Sequence, residues 1–401
     1  MNMFKATYMA IAFMTYMVMA GLVTQIGVVI NPLAEYLNIS MTESGAMFSF
    51  LTGGTLIGTT ASMYIYSHFT IKKVFQVIYS IFLITMACLV VLDIRDQTLV
   101  SAYFLILGFC CGAGLSGGAV LISQVFEEKQ RASAFIATDC AFSASGMIFP
   151  ALTVSIMAAS MLWTKGYAAV AVCAAIILVG SFTLKFPKGE VQESSDEEKV
   201  ESKGSFKDIF TVRVMIMGIA VCLYLIGQNT FVSWGPNYLQ SEFGVAAAES
   251  GAVIGNYWGP ALFGLIVSTI IVAKIPARLF LAAVVVIAAG FTIYLAAVDN
   301  AEQFLTVTLG FGFLTSSLFK LAISVGSMQL RSAPAVLVTF LLTCGTVGST
   351  LAPAVSSAVV EKFGIASSMT MTVVCFVSLA GLVLACLGLE KTESAKEAAT
   401  A

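Results

Sequence analysis

The sequence predicts an all-α integral membrane protein with twelve transmembrane helices, arranged as two pseudo-symmetric bundles of six. Hydrophobic residues make up 59% of the chain and charged residues only 10%, whereas a soluble domain carries about 25% charged residues. Apolar runs of about 20 residues, long enough for a helix to cross about 30 Å of hydrocarbon, recur along the whole chain. Several short sequences occur twice, once in each half.

The apolar runs are continuous and do not alternate with polar residues. Backbone polar groups in lipid are satisfied only in helices or closed barrels, and barrel strands are short and alternating, so the pattern indicates helices. The predicted limits of the twelve spans are 6–33, 43–66, 74–93, 98–124, 132–158, 163–186, 212–238, 248–273, 277–298, 303–328, 334–358 and 366–389.

The lysines and arginines are distributed unevenly between the loops. With the N-terminus inside, 16 of them fall on the inner side and 3 on the outer side, while Lys320 lies within a span. Because cytoplasmic loops carry the excess of basic residues, we expect both termini to be cytoplasmic. The protein is therefore expected to be a multi-pass protein of a bacterial inner (plasma) membrane.

One long polar segment divides the chain near its middle, and a run of this composition is typical of a solvated linker. We therefore divide the chain into four parts. They are an N-terminal six-helix bundle (1–186), a cytoplasmic linker (187–210), a C-terminal six-helix bundle (211–390) and a cytoplasmic tail (391–401).

The two halves share short sequences in the same order. Glu-Ser-Gly-Ala occurs at 43–46 and 249–252, each time opening the second span of its half, and Leu-Gly-Phe occurs at 107–109 and 309–311. Matches in one order at nearly one offset indicate a duplication. Two six-helix repeats are typical of secondary transporters, which bind their solute near the membrane midplane between the repeats.

The residues of two spans carry a resemblance to a known family. The fifth span reads TDCAFSASGMIFP at 138–150 and follows Gln130 and Arg131, and the eleventh reads FLLTCGTVG at 340–348. With the twelve-span layout, these stretches resemble the major facilitator superfamily, and within it the TsgA-type transporters, relatives of the fucose permeases. The resemblance implies the two-bundle fold and a transport function.

Two parts of the chain depart from the family pattern. The loop at 66–73 keeps only the basic end of the motif that most members have between the second and third spans. The stretches at 21–32 and 108–118 carry no acid, whereas fucose permeases use acids in the first and fourth spans. The sugar specificity and the coupling residues of that group are therefore not implied.

Two ionisable residues lie deep within apolar spans. Asp139 follows Arg131 by eight residues and Lys320 precedes Arg331 by eleven, which is about 12 Å and 16 Å of helix at 1.5 Å per residue. Ionisable residues at such depth are costly and usually functional. They mark the best candidates for proton coupling or gating.

In the family's architecture the fifth and tenth spans meet on the cytoplasmic side. We expect Asp139 and Lys320 to form an ion pair there, released by protonation of Asp139 or by a competing substrate. The alternatives are a static buried pair, or an Asp139 that is hydrogen-bonded to Thr138 and Ser143.

Polar and aromatic residues collect on the first spans of both halves and on the eighth span. Buried amides need partners, and in a central cavity the partner can be a solute. The alternatives are interhelical hydrogen bonds for the amides and interfacial positions for Trp234 and Tyr238. The candidate substrate-binding residues are Thr24, Gln25, Gln228, Asn229, Trp234, Asn256 and Trp258.

Glycines crowd the fourth span, at Gly108, Gly112, Gly114, Gly117 and Gly118. They lie in an apolar run without a preceding strand, so they do not form a phosphate loop. Small residues let helix backbones approach closely, and we interpret these glycines as packing or hinge positions.

The sequence contains no nucleophile–base pair, metal-ligand spacing or nucleotide motif, so we expect neither an enzyme nor a bound cofactor or metal, and no nucleic-acid partner. We expect a monomeric symporter in the lipid bilayer that moves a small polar solute, sugar-like or an organic acid, together with protons. The alternatives are an exporter of amphipathic compounds, an uncoupled facilitator, and a membrane sensor that binds without transporting.

Overall fold

The structure is a computed structural model that describes residues 3–126, 128–184, 186, 211–272, 274–329 and 335–400. Within these ranges every regular element is a helix. The predicted linker at 187–210 lies outside the described residues, so the assignment of that segment stays a prediction.

The chain divides into two compact units. Unit 1 takes in residues 1–193 and 235–258, and unit 2 takes in 194–234 and 259–401. A short segment of the second sequence half therefore packs with the first half. The helices of residues 1–193 are α1 (Met3–Val23), α2 (Ile26–Leu37), α3 (Met41–His68), α4 (Ile71–Val91), α5 (Gln97–Val125), α6 (Glu128–Ala158) and α7 (Thr164–Thr183).

Two helices of the second half contribute to both units, and a short one lies between them. They are α8 (Val212–Phe243), α9 (Ala247–Ser250) and α10 (Ala252–Val272), with α9 wholly in unit 1. The remaining helices belong to unit 2. They are α11 (Ala277–Ala297), α12 (Ala301–Thr315), α13 (Leu318–Ser327), α14 (Ala335–Phe363) and α15 (Ala366–Thr400).

The twelve predicted spans are present as helices. In the described residues, eleven stretches are long and apolar enough to cross a membrane. The remaining predicted span is α3, which has 28 residues but is richer in threonine, serine and glycine. Three spans are interrupted within their length and appear as the pairs α1–α2, α9–α10 and α12–α13. The prediction of a twelve-helix membrane fold is confirmed.

Side chains at the loops fix where several helices begin. Ser40 and Glu43 form a capping box at the start of α3, with Glu43 N–H donating to Ser40 Oγ (3.1 Å) and Ser40 N–H donating to Glu43 Oε2 (2.8 Å). Asp96 accepts from the Leu99 N–H (2.7 Å) at the start of α5. Such caps satisfy backbone donors that have no partner inside the helix.

The glycines of α5 allow α3 to approach closely. A Cβ on Gly108 would run into the carbonyl oxygen of Leu51, and one on Gly112 into that of Thr55. Gly54 of α3 meets the α5 backbone in the same way. Only residues without a side chain permit this backbone contact, which supports the packing interpretation of Gly108 and Gly112.

The repeated Glu-Ser-Gly-Ala sequence makes a similar contact in each half. Ser44 is fully buried and donates to the Ile30 carbonyl of the first span (2.7 Å). Ser250 is also buried and accepts from Gln240 Nε2 of the seventh span (3.0 Å). In both halves the serine therefore ties the start of the second span to the first.

Candidate functional site

The first span is interrupted at Thr24 and Gln25, two of the predicted substrate residues. Both are buried, with exposed fractions of 1% and 0%. The amide of Gln25 donates to the Gly21 carbonyl and accepts from the hydroxyl of Thr153 on α6. In this arrangement Gln25 makes an interhelical hydrogen bond, the alternative considered above, and its role in binding a solute stays a prediction.

Two further side chains donate hydrogen bonds to backbone carbonyls near the interruption of the first span. The Tyr167 hydroxyl of α7 donates to the Leu22 carbonyl (3.3 Å), and Thr24 Oγ1 donates to the Ala20 carbonyl (2.7 Å). The Ala20 carbonyl also accepts the Thr24 backbone N–H (2.9 Å), whereas the Tyr167 hydroxyl supplies a donor to the Leu22 carbonyl, next to the interruption. Side chains of unit 1 therefore stabilise the helix interruption.

The equivalent positions in the second half behave differently. Gln228 and Asn229 lie within the uninterrupted helix α8, and both are half-buried. Asn229 Nδ2 donates to Ser349 Oγ on α14 at 3.0 Å. An amide that is partly accessible and bonded through one nitrogen keeps further hydrogen-bonding capacity, so Asn229 is better placed than Gln25 to meet a solute.

Trp234 is buried in unit 2, with an exposed fraction of 1%. Its indole nitrogen donates to Ser356 Oγ on α14 at 2.9 Å. A buried indole with its donor satisfied stabilises helix packing. The proposed contact of Trp234 with a solute therefore stays a prediction and would require the α8–α14 contact to open.

Asp139 lies on α6 in unit 1 and is half-buried. The preceding residue, Thr138, is fully buried and hydrogen-bonded to Tyr16 of α1. Phe142 and Gly146 follow Asp139 at spacings of three and seven residues, which places all three on one face of the helix.

The ring of Trp258 packs against this face of α6. Its centroid lies 5.3 Å from that of Phe142, and a Cβ on Gly146 would overlap the indole. Tyr257 makes an edge contact with the same ring at 5.1 Å. Gly146 therefore creates the space that Trp258 occupies, one to two turns from Asp139.

The indole N–H of Trp258 is buried and has no acceptor among the described residues. A buried donor without a partner costs free energy, and a shift of the ring or an acceptor oxygen on a solute would relieve that cost. Asn256, two residues earlier on α10, is half-buried. Unit 1 thus places Trp258 against the helix face that carries Asp139, while Asn256 lies nearby in the sequence on α10.

Lys320 lies in unit 2, in the first turn of α13, and is exposed. The span is interrupted just before it, at Ser316 and Ser317, and the Tyr224 hydroxyl donates to the freed Thr315 carbonyl (3.0 Å). The predicted ion pair between Asp139 and Lys320 would join residues of different units, and it stays a prediction.

Sequence reasoning missed the residues that hold the candidates in place, among them Phe142, Gly146, Thr153, Ser349 and Ser356. Gly146 had one available signal, since it is a small residue two turns after an acid in an apolar stretch. The others carry no local pattern, because their partners are distant in the chain.

At the opposite end of unit 1 from the N-terminus, a small cluster lies outside the spans. The Tyr36 hydroxyl donates to Asp93 Oδ1 (2.8 Å), and Arg95 pairs with the same carboxylate (3.2 Å). The hydrogen bond from Tyr36, with the nearby charge of Arg95, holds the pKa of Asp93 below its usual range.

Comparison with known proteins assigns the fold. The sequence profile of the Major Facilitator Superfamily matches residues 8–341. The chain belongs to this superfamily. Its members are membrane transporters that bind small-molecule substrates, so the protein transports a solute across a lipid bilayer and is not an enzyme.

Individual relatives agree with this assignment. The chain is 28% identical over 363 residues to the protein TsgA of Escherichia coli, and 25% identical over 362 residues to a TsgA homolog of Erwinia tasmaniensis. Each alignment covers 90% of both proteins. The expected resemblance to the TsgA-type group is confirmed.

Solved structures share the fold at low identity. A D-xylose-proton symporter superposes with a TM-score of 0.76 at 13% identity, covering 94% of this chain and 97% of that one. The nucleoside transporter NupG superposes with a TM-score of 0.72 at 15% identity, covering 98% and 100%.

Proposed function

We propose that the protein is a proton-coupled symporter that moves a small polar solute, sugar-like or an organic acid, by alternating access. The observation that carries the proposal is the face of α6 on which Asp139, Phe142 and Gly146 lie, with Trp258 packed against it. An acid, an aromatic ring and a nearby amide are the groups that recognise a hydroxylated solute.

Coupling to protons is assigned to Asp139. A half-buried carboxylate within a membrane span changes its charge at a cost that depends on its surroundings. A solute arriving beside Trp258 alters those surroundings and so changes the proton affinity of Asp139. Lys320 is the matching charge in unit 2, and we propose that it pairs with Asp139 or with an acidic solute during the cycle.

The proposed setting follows from the charge distribution. We propose that the protein lies in a bacterial inner membrane with both termini in the cytoplasm, because 16 lysines and arginines lie on that side and 3 on the other. We also propose that it acts as a monomer, in which the two sequence halves supply both sides of the solute path.

The experiment is a screen of the purified protein in proteoliposomes for solute-induced proton movement. Sugars, sugar acids and other organic acids are added, and the internal pH is followed with a trapped dye. We expect one class of solute to drive protons in the wild type and not in Asp139→Asn. Asp299→Asn is the control, since this acid is exposed in a loop of unit 2.

The outcomes separate the alternatives. Proton movement that survives Asp139→Asn places the coupling elsewhere. Counterflow without proton movement indicates an uncoupled facilitator. A solute that binds and shows neither counterflow nor net flux contradicts transport and favours a sensor.

A further inference from the structure

Unit 1 contains a cavity of about 360 Å³ that is lined by none of the residues to which a role in solute binding is assigned above. It lies at the C-terminal end of the first span. Four helices line it, namely α2, α6, α8 and α9. A volume of this size accommodates a small organic molecule.

One wall of the cavity is polar and held in place by hydrogen bonds. Asn31 Nδ2 donates to Gln240 Oε1 (3.4 Å), and Gln240 Nε2 donates to Ser250 Oγ (3.0 Å). In these two bonds the amide N–H groups of Asn31 and Gln240 are the donors. The Asn31 carbonyl oxygen remains as an acceptor for a group in the cavity.

The carboxylate of Glu35 lies one helical turn from Asn31. Glu35 follows Asn31 by four residues on α2, so both lie on one helix face. Among the described residues that line the cavity, Glu35 is the single charged one, and it is exposed. The cavity therefore offers acceptor oxygens and a negative charge.

The surface around the cavity also carries an excess of negative charge. The acids at this end of unit 1 are Glu35, Glu43, Asp93, Asp96, Glu242 and Glu249. The bases at this end are Arg95, which is paired with Asp93, and Lys165. Such an excess raises the local concentration of cations.

Another part of the lining is apolar, formed by Val28 of α2 with Val154 and Met157 of α6. Val28 and Val154 also close over Gly251, the residue after α9. A ligand that suits both parts of the lining carries a cationic donor group and a short aliphatic body.

We propose that this cavity is a binding site for a small protonated alkylamine, with Glu35 as its counter-ion. The ammonium group donates to the Glu35 carboxylate and the Asn31 carbonyl oxygen, and the alkyl chain lies against Val154 and Met157. The site is distinct from the Asp139–Trp258 region and goes beyond the proposed transport of a polar solute.

The test is calorimetric titration of the purified protein in lipid nanodiscs, with empty nanodiscs as the blank. The probes are butylamine, butan-1-ol and butyrate, which share one alkyl chain and differ in charge. We expect saturable binding of butylamine alone. Glu35→Gln is expected to weaken it about tenfold or more, because a close charge–charge contact is lost.

Two further variants make the result specific. Ala158→Phe, at an exposed position of the cavity wall, fills the space and is expected to abolish binding. Glu249→Gln removes an equal charge from the same surface outside the lining and is expected to change the affinity within about twofold, because exposed charges are screened.

Three results would overturn the proposal. They are no saturable binding of butylamine, equal binding of butan-1-ol, and unchanged binding in Glu35→Gln. The thermal unfolding temperature of each variant is also measured. A loss of binding is then attributed to the substitution only when the variant is folded.

Discussion

At the scale of single residues, the candidate side chains differ in how deeply they are buried. Gln25 and Trp234 are both buried, and each has a specific partner on another helix. Asn229, Asn256 and Trp258 are half-buried. On burial alone we propose the second group as the better candidates for solute contact, although the sequence placed all five in one candidate set.

The hydrogen bond between Thr153 and Gln25 yields the first prediction. Thr153→Val keeps the side-chain shape and leaves the Gln25 oxygen buried with one partner fewer, so we expect a loss of about 1–3 kcal/mol in unfolding free energy. Unfolding of the purified protein by a denaturing detergent measures it. Thr183→Val is the control, because that hydroxyl is exposed at the end of α7; an equal loss there would show that the bond to Gln25 contributes nothing specific.

The contact between Gly146 and Trp258 yields the second prediction. Gly146→Ala places a methyl group against the indole, so we expect a lower unfolding temperature and a severalfold weaker apparent affinity for the transported solute. Adding Trp258→Phe makes room for the methyl group. The unfolding temperature is then expected to recover while the affinity stays low, as measured by counterflow.

Gly255→Ala is the matched control for the Gly146 pair, because a Cβ at this position of α10 meets nothing within 4 Å. It is expected to leave both measurements unchanged. If the Gly146→Ala/Trp258→Phe double variant transports with wild-type affinity, Trp258 does not contact the solute.

At the scale of the helices, the contact between α3 and α5 depends on the absence of side chains. The third prediction is that Gly108→Ala, which pushes a methyl group into the α3 backbone, lowers the unfolding free energy by about 1–3 kcal/mol. Gly381→Ala on α15 is expected to be neutral or stabilising, since a Cβ there meets nothing within 4 Å and alanine favours helix. Equal effects at both positions would contradict close packing as the cause.

The interruptions of the spans were the least predictable feature at this scale. Pro150, Pro260 and Pro353 lie within helices α6, α10 and α14, which continue through them. The first and tenth spans are interrupted at Thr24–Gln25 and Ser316–Ser317, where there is no proline. Hydroxyl groups from Tyr167 and Tyr224 satisfy the nearby carbonyls, and these partners come from other helices.

At the scale of the whole molecule, the proposed alternating access requires that contacts inside unit 1 break. Residues 235–258 belong to the second sequence half yet pack with the first. The Asn31–Gln240 hydrogen bond and the Asn237 Nδ2 bond to the Gly27 carbonyl (3.2 Å) join the two. A transporter that moves its halves relative to one another must release these bonds in each cycle.

The fourth prediction follows from that requirement. In a background without native cysteines, Asn31→Cys/Gln240→Cys is expected to form a disulfide on oxidation and to lose transport, which returns on reduction. Each single cysteine variant is the control and is expected to be insensitive to oxidant. Full transport by the cross-linked protein would show that this contact stays closed throughout the cycle.

The sequence by itself determined the class of the protein. Hydrocarbon imposes a span length and excludes unsatisfied backbone groups, so composition and run length were enough to predict twelve helices, and the resemblance in the fifth and eleventh spans was enough to predict the family. It also directed attention to Asp139, because an acid within an apolar span is conspicuous without knowledge of its neighbours.

Only the tertiary structure decided which candidate residues meet. Gln25 and Thr153 are 128 residues apart, and Trp258 lies more than a hundred residues after Gly146. No local pattern encodes such pairs, because side-chain partners in a helical bundle depend on how helices cross and rotate. The cavity beside Glu35 has the same origin, since its walls come from four helices that are distant in the chain.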